Sequence, residues 1–245
     1  IEYWSLPDAA GVVDHVQRGR VQVVQMGNFG PDFYSVADDP QVERSWAGMP
    51  AVGVERNLEI AADLIPRVQA AGARVVGQLS MTMHFGDHER GLGLFGDVWQ
   101  RMWSPERLGP PPAPGAAAVV QLAADGAPRR TPIAGRPYDT YRGCICNPRW
   151  LSALRAMVTL GVRLGLDGFN ATHNYESFCR CEHCAAYLRR WLAASDRLDA
   201  GQVRALFGVD AGDIADPLAP RAEAPADLRQ RYETICKRFG WPAPY

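Results

Sequence analysis

Leu166-Asp167-Gly168-Phe169-Asn170-Ala171-Thr172 is the stretch on which the fold turns, and it runs directly into His173-Asn174-Tyr175-Glu176-Ser177-Phe178-Cys179-Arg180-Cys181-Glu182-His183-Cys184. The first seven residues read as a buried strand, and the remainder packs three thiols and a run of polar groups behind it. Ahead of it lies the clearest helix in the chain. Asn147 can cap it, Pro148 suits its first turn, and Trp150, Leu151, Leu154, Met157, Val158 and Val162 form one apolar stripe before Gly165 ends it. Beyond the thiols, Cys184 to Ala194 reads as a further helix with Leu188, Trp191 and Leu192 turned inward.

Working outward, residues 21–27 form a short apolar run closed by Gly27-Asn28-Phe29-Gly30-Pro31, which suits a parallel strand leading into a loop that carries Asn28, Asp32 and Tyr34. Val54 to Ala71 has helical spacing with Gly72 as its stop, and Pro66 inside it predicts a kink or a second start. Arg74 to Met81 follows as another strand, so strand, helix and strand make a right-handed βαβ unit. Strand and helix alternate throughout, which predicts an α/β fold with a parallel sheet. A closed barrel of the TIM type takes about 250 residues before any insertion. The expectation is therefore a partial (β/α) barrel over residues 1–215, interrupted by a long irregular insertion from Thr82 to Arg142, with a Pro/Ala-rich linker and short helix as a C-terminal tail over 216–245. A chain without an initiator Met reads as trimmed or partial.

Net charge of −1, with 47% hydrophobic and 22% charged residues, is ordinary for a globular domain and gives no reason to expect nucleic acid as a partner. No run of 18 apolar residues exists to span a bilayer. Five of the six cysteines fall between Cys144 and Cys184 at metal-like spacing, in a chain too long to need stapling. Reduced thiols, a bound metal and a cytoplasmic setting follow as expectations, and a homo-oligomer is allowed.

Cys179-x-Cys181-x-x-Cys184 is one ligand short of a closed tetrahedral zinc site. Cys144 and Cys146 stand just before the Asn147 helix, one helix-and-strand unit upstream, and in a parallel sheet the two loops emerge on one face. Either can close a Cys₄ site, which would be structural Zn²⁺ because no position stays open for an activated water. The bland alternative is a set of buried free thiols. Cys236 reads as a lone thiol.

These residues resemble the family-42 β-galactosidases, which have (β/α)₈ barrels. That family shows a Cys shortly before a Pro and an amphipathic helix, then Gly-Phe-x-x-x-Asn-Glu-Tyr, then C-x-C-x-x-C and a helix ending in Trp-Leu. Here the matching run is Cys144, Pro148, Gly168-Phe169-Asn170-Ala171-Thr172-His173-Asn174-Tyr175, the three cysteines, and Trp191-Leu192. The resemblance implies a structural zinc on Cys144, Cys179, Cys181 and Cys184. It also implies a carbohydrate substrate with a β-linkage. The family's Asn-Glu is His173-Asn174 in this chain, so an amide with no proton to give stands where the catalytic acid would be. The second carboxylate comes from a late barrel strand, and this chain is expected to end before it.

Glu176 is the carboxylate nearest the carried-over position, so the catalytic candidates are Glu176 and Asn174. Asn28, His84, Asn170, His173 and Tyr175 stand at strand ends or just past them, where barrel enzymes bind ligands, and are candidate sugar contacts. Asp87 shares that rim, and His84 with His88 equally reads as an accidental pair on an insertion. Trp99, Trp103, Tyr138 and Tyr141 can stack on sugar rings or form the insertion's own small core. Two functions are therefore expected: a glycoside hydrolase with a rebuilt acid, or a non-catalytic barrel domain that binds carbohydrate. A nucleic-acid-binding zinc ribbon ranks last for want of a basic patch.

Overall fold

The computed structural model describes residues 2–3, 9–26, 29–30, 54–96, 99, 103–132, 139–172, 179–194 and 197–238. They divide into two compact units, one from residues 1–120 with 130–174 and the other from 121–129 with 175–245.

The first unit holds both sheets. Strands β1 (Glu2–Tyr3), β2 (Val23–Met26), β3 (Arg74–Ser80) and β8 (Gly168–Thr172) form a parallel sheet in the order β1-β2-β3-β8. Helices α1 (Ala9–Gly19), α2 (Val54–Ala70) and α4 (Pro148–Arg163) connect or precede its strands. The three strands expected from the sequence are present, and a fourth, the two-residue β1, joins them. Helix α2 runs through Pro66 as one element, because Ala61, Leu64, Ile65 and Val68 bury a continuous stripe around that exposed proline. Among the described residues the parallel strands number four.

Alternation along β3 divides the sheet's faces. Val75 and Leu79 enter the main apolar cluster with Ile65, Trp150 and Met157, while Gln78 and Ser80 point the other way. Gly77 shares the helix-facing side, where there is no room for a larger residue unless its neighbours shift. A Cβ there would meet Leu166 at 2.7 Å and Phe169 at 3.1 Å, and Gly161 on α4 is crowded by the same two side chains. Asp167 pins the edge by donating its N–H to the Val75 carbonyl at 2.8 Å while accepting the Val75 N–H at 2.7 Å. Gln69 adds a further hydrogen bond at 3.0 Å, and together these hold the Asp167 carboxyl below the usual carboxylate range.

The span expected to be irregular contains a second sheet. Strands β4 (Met83–Asp87), β5 (Leu92–Gly93), β6 (Arg130–Thr131) and β7 (Asp139–Arg142) pair antiparallel in the order β5-β4-β7-β6, with a four-residue helix α3 (Pro105–Leu108) between β5 and β6. Its strands are too short to show a readable alternation, which is why the sequence pattern passes them over. Trp99 and Trp103 stack on each other 4.8 Å apart, and both are buried, so they form core rather than a sugar platform. Tyr141 is likewise buried, and Tyr138 lies outside the described residues.

The second unit is helical: α5 (Glu182–Ala194), α6 (Ala200–Phe207) and α7 (Ala226–Arg238) pack Leu188, Leu192, Val203, Leu206, Tyr232 and Ile235 together. A capping box between Asp199 and Gln202 starts α6, and Gly208 at φ 78° ends it. Cys236 is buried in this cluster, which pushes its thiol up to about 11. No helix of the described residues is long and apolar enough to cross a membrane.

Gly143 gives the first unit its sharpest steric test. A Cβ on it would lie 1.9 Å from the Trp150 ring, whose Nε1 donates to the Met81 carbonyl at 2.9 Å. Gly143→Ala is expected to cost about 3 kcal/mol, the upper range for overpacking a core, read as a lowered midpoint in thermal unfolding. An unchanged midpoint would contradict the packing.

Candidate functional site

Cys144 sits in the turn that leads into α4. Its N–H donates to the Val119 carbonyl and its own carbonyl accepts the Asn147 N–H, each at 2.9 Å. Asn147 locks that turn from both ends of its amide: Oδ1 accepts the Arg149 N–H as the helix cap, and Nδ2 donates to the Ala118 carbonyl, again at 2.9 Å each. In the second unit, the turn around Asp125-Gly126 folds residues 121–129 back on themselves. Leu122 then holds the cysteine run, donating its N–H to the Cys179 Sγ at 3.3 Å and accepting the Arg180 N–H at 2.9 Å. Cys181 immediately precedes α5 and Cys184 lies in its first turn, so the helix start fixes their spacing.

The Sγ atoms of Cys144, Cys179, Cys181 and Cys184 all lie within 4.8 Å of one another, and all four residues are buried. A tetrahedral zinc thiolate has metal–sulfur bonds of about 2.3 Å, hence sulfurs about 3.8 Å apart. The cluster is compatible with that. All six cysteines are free thiols, so no disulfide explains the crowding. Cys146 is only half-buried and stands outside the cluster, and His183 contributes no ligand to it. An N–H bonded to Cys179 Sγ is the kind of support that stabilises a metal-bound thiolate.

At the carboxyl end of the parallel sheet the structure assembles a polar ladder. Asn170 Nδ2 donates to Gln25 Oε1 at 2.6 Å, Gln25 Nε2 donates to Gln78 Oε1 at 3.1 Å, and Gln78 Nε2 donates to Thr172 Oγ1 at 3.2 Å. Three strands thus contribute to one directed chain of amides on the face opposite the helices. Asn170 was legible as a candidate. Gln25 and Gln78 were not singled out, although each is a polar residue inside an otherwise apolar strand, and that interruption is the signal that could have found them.

Asn28, His173, Asn174, Tyr175 and Glu176 lie outside the described residues. His84 is fully buried within an aromatic group, with ring centroids 5.6 Å from Phe95, 5.9 Å from Tyr141 and 5.7 Å from Trp150. Neither ring nitrogen has a hydrogen-bond partner among the described residues. His88 is held nearby, its N–H donating to the Tyr141 hydroxyl at 3.2 Å. Asp87 accepts the Arg90 N–H at 2.9 Å and so serves the turn after β4.

No family model matches the chain, and no curated protein matches it. Several solved structures are similar at low identity. A cycloisomaltooligosaccharide glucanotransferase from a Paenibacillus species shares 11% identity over 69% of this chain and 23% of its own, with a TM-score of 0.41. An α-galactosidase from Thermus thermophilus shares 14% over 93% of this chain and 31% of its own, with a TM-score of 0.39. A cyclic α-maltosyl-(1→6)-maltose hydrolase from Arthrobacter globiformis shares 16% over 96% of this chain and 55% of its own, with a TM-score of 0.42. This chain therefore spans 23–55% of the length of these proteins. All three are named for carbohydrate substrates, and none of the three is a β-galactosidase.

Burial lowers the His84 pKa from an ordinary value of 6.5 to about 3. As pH falls below 6.5 the unfolded chain takes up a proton that the folded chain refuses until about 3, so stability is lost across that window at about 1.4 kcal/mol per pH unit. Denaturant titrations at pH 7, 6 and 5 should show this decline, and His84→Gln should reduce its slope by about one proton's worth. An identical slope in the variant would contradict the assignment.

Proposed function

We propose that this chain is a glycoside hydrolase-like (β/α)-barrel domain that binds and acts on a β-linked sugar and is held by a structural Cys₄ zinc site. The observation that carries the sugar reading is the amide ladder Asn170–Gln25–Gln78–Thr172 at the carboxyl ends of parallel strands. Parallel α/β enzymes bind ligands at that end. Amides oriented by one another present donors and acceptors that match sugar hydroxyls at little ordering cost. The β-linkage rests on the resemblance of the Cys144 to Leu192 run to the family-42 enzymes. In this reading Glu176, four residues beyond β8 in sequence, protonates the leaving oxygen, Asn174 occupies the position of the family's acid, and Asn28, His173 and Tyr175 join Asn170 around the sugar.

Zinc is supported by the donor set, four buried thiols at mutual distances that suit a tetrahedral ion. Four protein ligands close the coordination shell, so the metal would contribute folding free energy rather than an activated water.

Paired α- and β-nitrophenyl galactosides and glucosides test the activity. Turnover of the β-anomers is expected, with Glu176→Gln lowering kcat/KM by about 10²–10⁴ and Gln78→Ala raising KM several-fold. Turnover confined to α-anomers would overturn the linkage, and no turnover on either series would overturn the enzyme. Cys181→Ser is expected to release about one equivalent of zinc and to lose helical signal by circular dichroism. Purified protein that is fully stable and contains no metal would overturn the zinc assignment.

A further inference from the structure

A groove of about 370 Å³ runs between α3 and α4, away from the strand ends and from the thiols, lined chiefly by Pro105, Arg107, Ser152, Arg155, Thr159 and Arg163. Its charge is one-sided. Arg107 is committed to the Glu55 carboxylate in a two-pronged ion pair. The guanidinium groups of Arg155 and Arg163 make no ion pair or hydrogen bond with any described residue, and Glu106 is the one acidic residue of the lining. Two guanidiniums exposed on one wall of a concave surface, neither of them ion-paired with a described carboxylate although Glu106 shares the lining, form a ready anion site.

Spacing narrows the ligand. Arg155 and Arg163 lie eight residues apart on one helix face, about 12 Å along the axis at 1.5 Å per residue. Between and beside them stand the hydroxyls of Thr159 and Ser152, whose protons go to the Arg155 and Pro148 carbonyls and whose lone pairs can still accept from a ligand hydroxyl, and Pro105, Leu108 and Ala156 add apolar lining. Cations at both ends, hydroxyls between and an apolar floor fit an extended ligand that carries anionic groups on a hydroxyl-rich, partly apolar body. We propose that this groove binds an acidic oligosaccharide, with uronate carboxylates engaged by Arg155 and Arg163. The groove is separate from the strand-end ladder, so it stands whether or not that ladder binds a neutral sugar.

Calorimetric titration of trigalacturonate into the full chain at low ionic strength tests this, with maltotriose and inorganic phosphate as comparison ligands. Trigalacturonate is expected to bind at one site and to weaken as NaCl is added. Arg155→Gln and Arg163→Gln should each weaken it about tenfold, the loss expected for a charge-assisted hydrogen bond. Maltotriose should bind far more weakly, and both variants should keep the wild-type melting midpoint because the side chains are exposed. Absence of trigalacturonate binding would overturn the proposal, as would an affinity unchanged in the double variant. Inorganic phosphate binding as tightly as trigalacturonate would reduce the groove to a simple anion site and overturn the saccharide assignment.

Discussion

Strand β3 is the constraint on which the first unit depends. It is hydrogen-bonded along both edges, to β2 and to β8, so its side-chain alternation sets both faces of the parallel sheet. Val75 and Leu79 go to the helices, with Gly77 making room for Leu166 and Phe169. Gln78 goes to the other face and becomes the middle of the amide ladder. A slip of one residue in register would exchange these roles, burying the amide among aliphatic side chains and exposing Val75 and Leu79. The apolar core and the polar ladder are two outcomes of one pairing.

The ladder and the thiol cluster offer different chemistry. Amides can orient a ligand but cannot exchange protons near neutral pH. Four thiols around one ion leave no open coordination position. Neither supplies acid–base catalysis, so in the proposed reading that work falls to a carboxylate, Glu176, while zinc fixes the loops that carry the cysteines. His84, although titratable, is kept neutral by its aromatic surroundings, which makes it a determinant of acid stability.

Much of this was legible in the sequence because it follows local rules. The Asn147 cap, Pro148 in the first turn and the stripe from Trp150 to Met157 predict α4, and the structure has it. Metal-like spacing picked out the cysteines that cluster, with Cys144 rather than Cys146 completing the set. The antiparallel sheet was hidden because two-residue strands such as β5 and β6 owe their existence to partners distant in sequence. Helix α1 was passed over because Val12 and Val16 alone carry its strongly buried face. Gln25 and Gln78 lie 53 residues apart, and only the β2–β3 register brings their amides together. The burial of Trp99 against Trp103 depends in the same way on tertiary packing, which residue type alone does not specify.

The claim that four cysteines hold a structural metal is tested most directly by X-ray absorption at the zinc edge on purified protein. Four sulfur neighbours at about 2.3 Å are predicted. A first shell containing nitrogen or oxygen, or a sample without zinc, would contradict it.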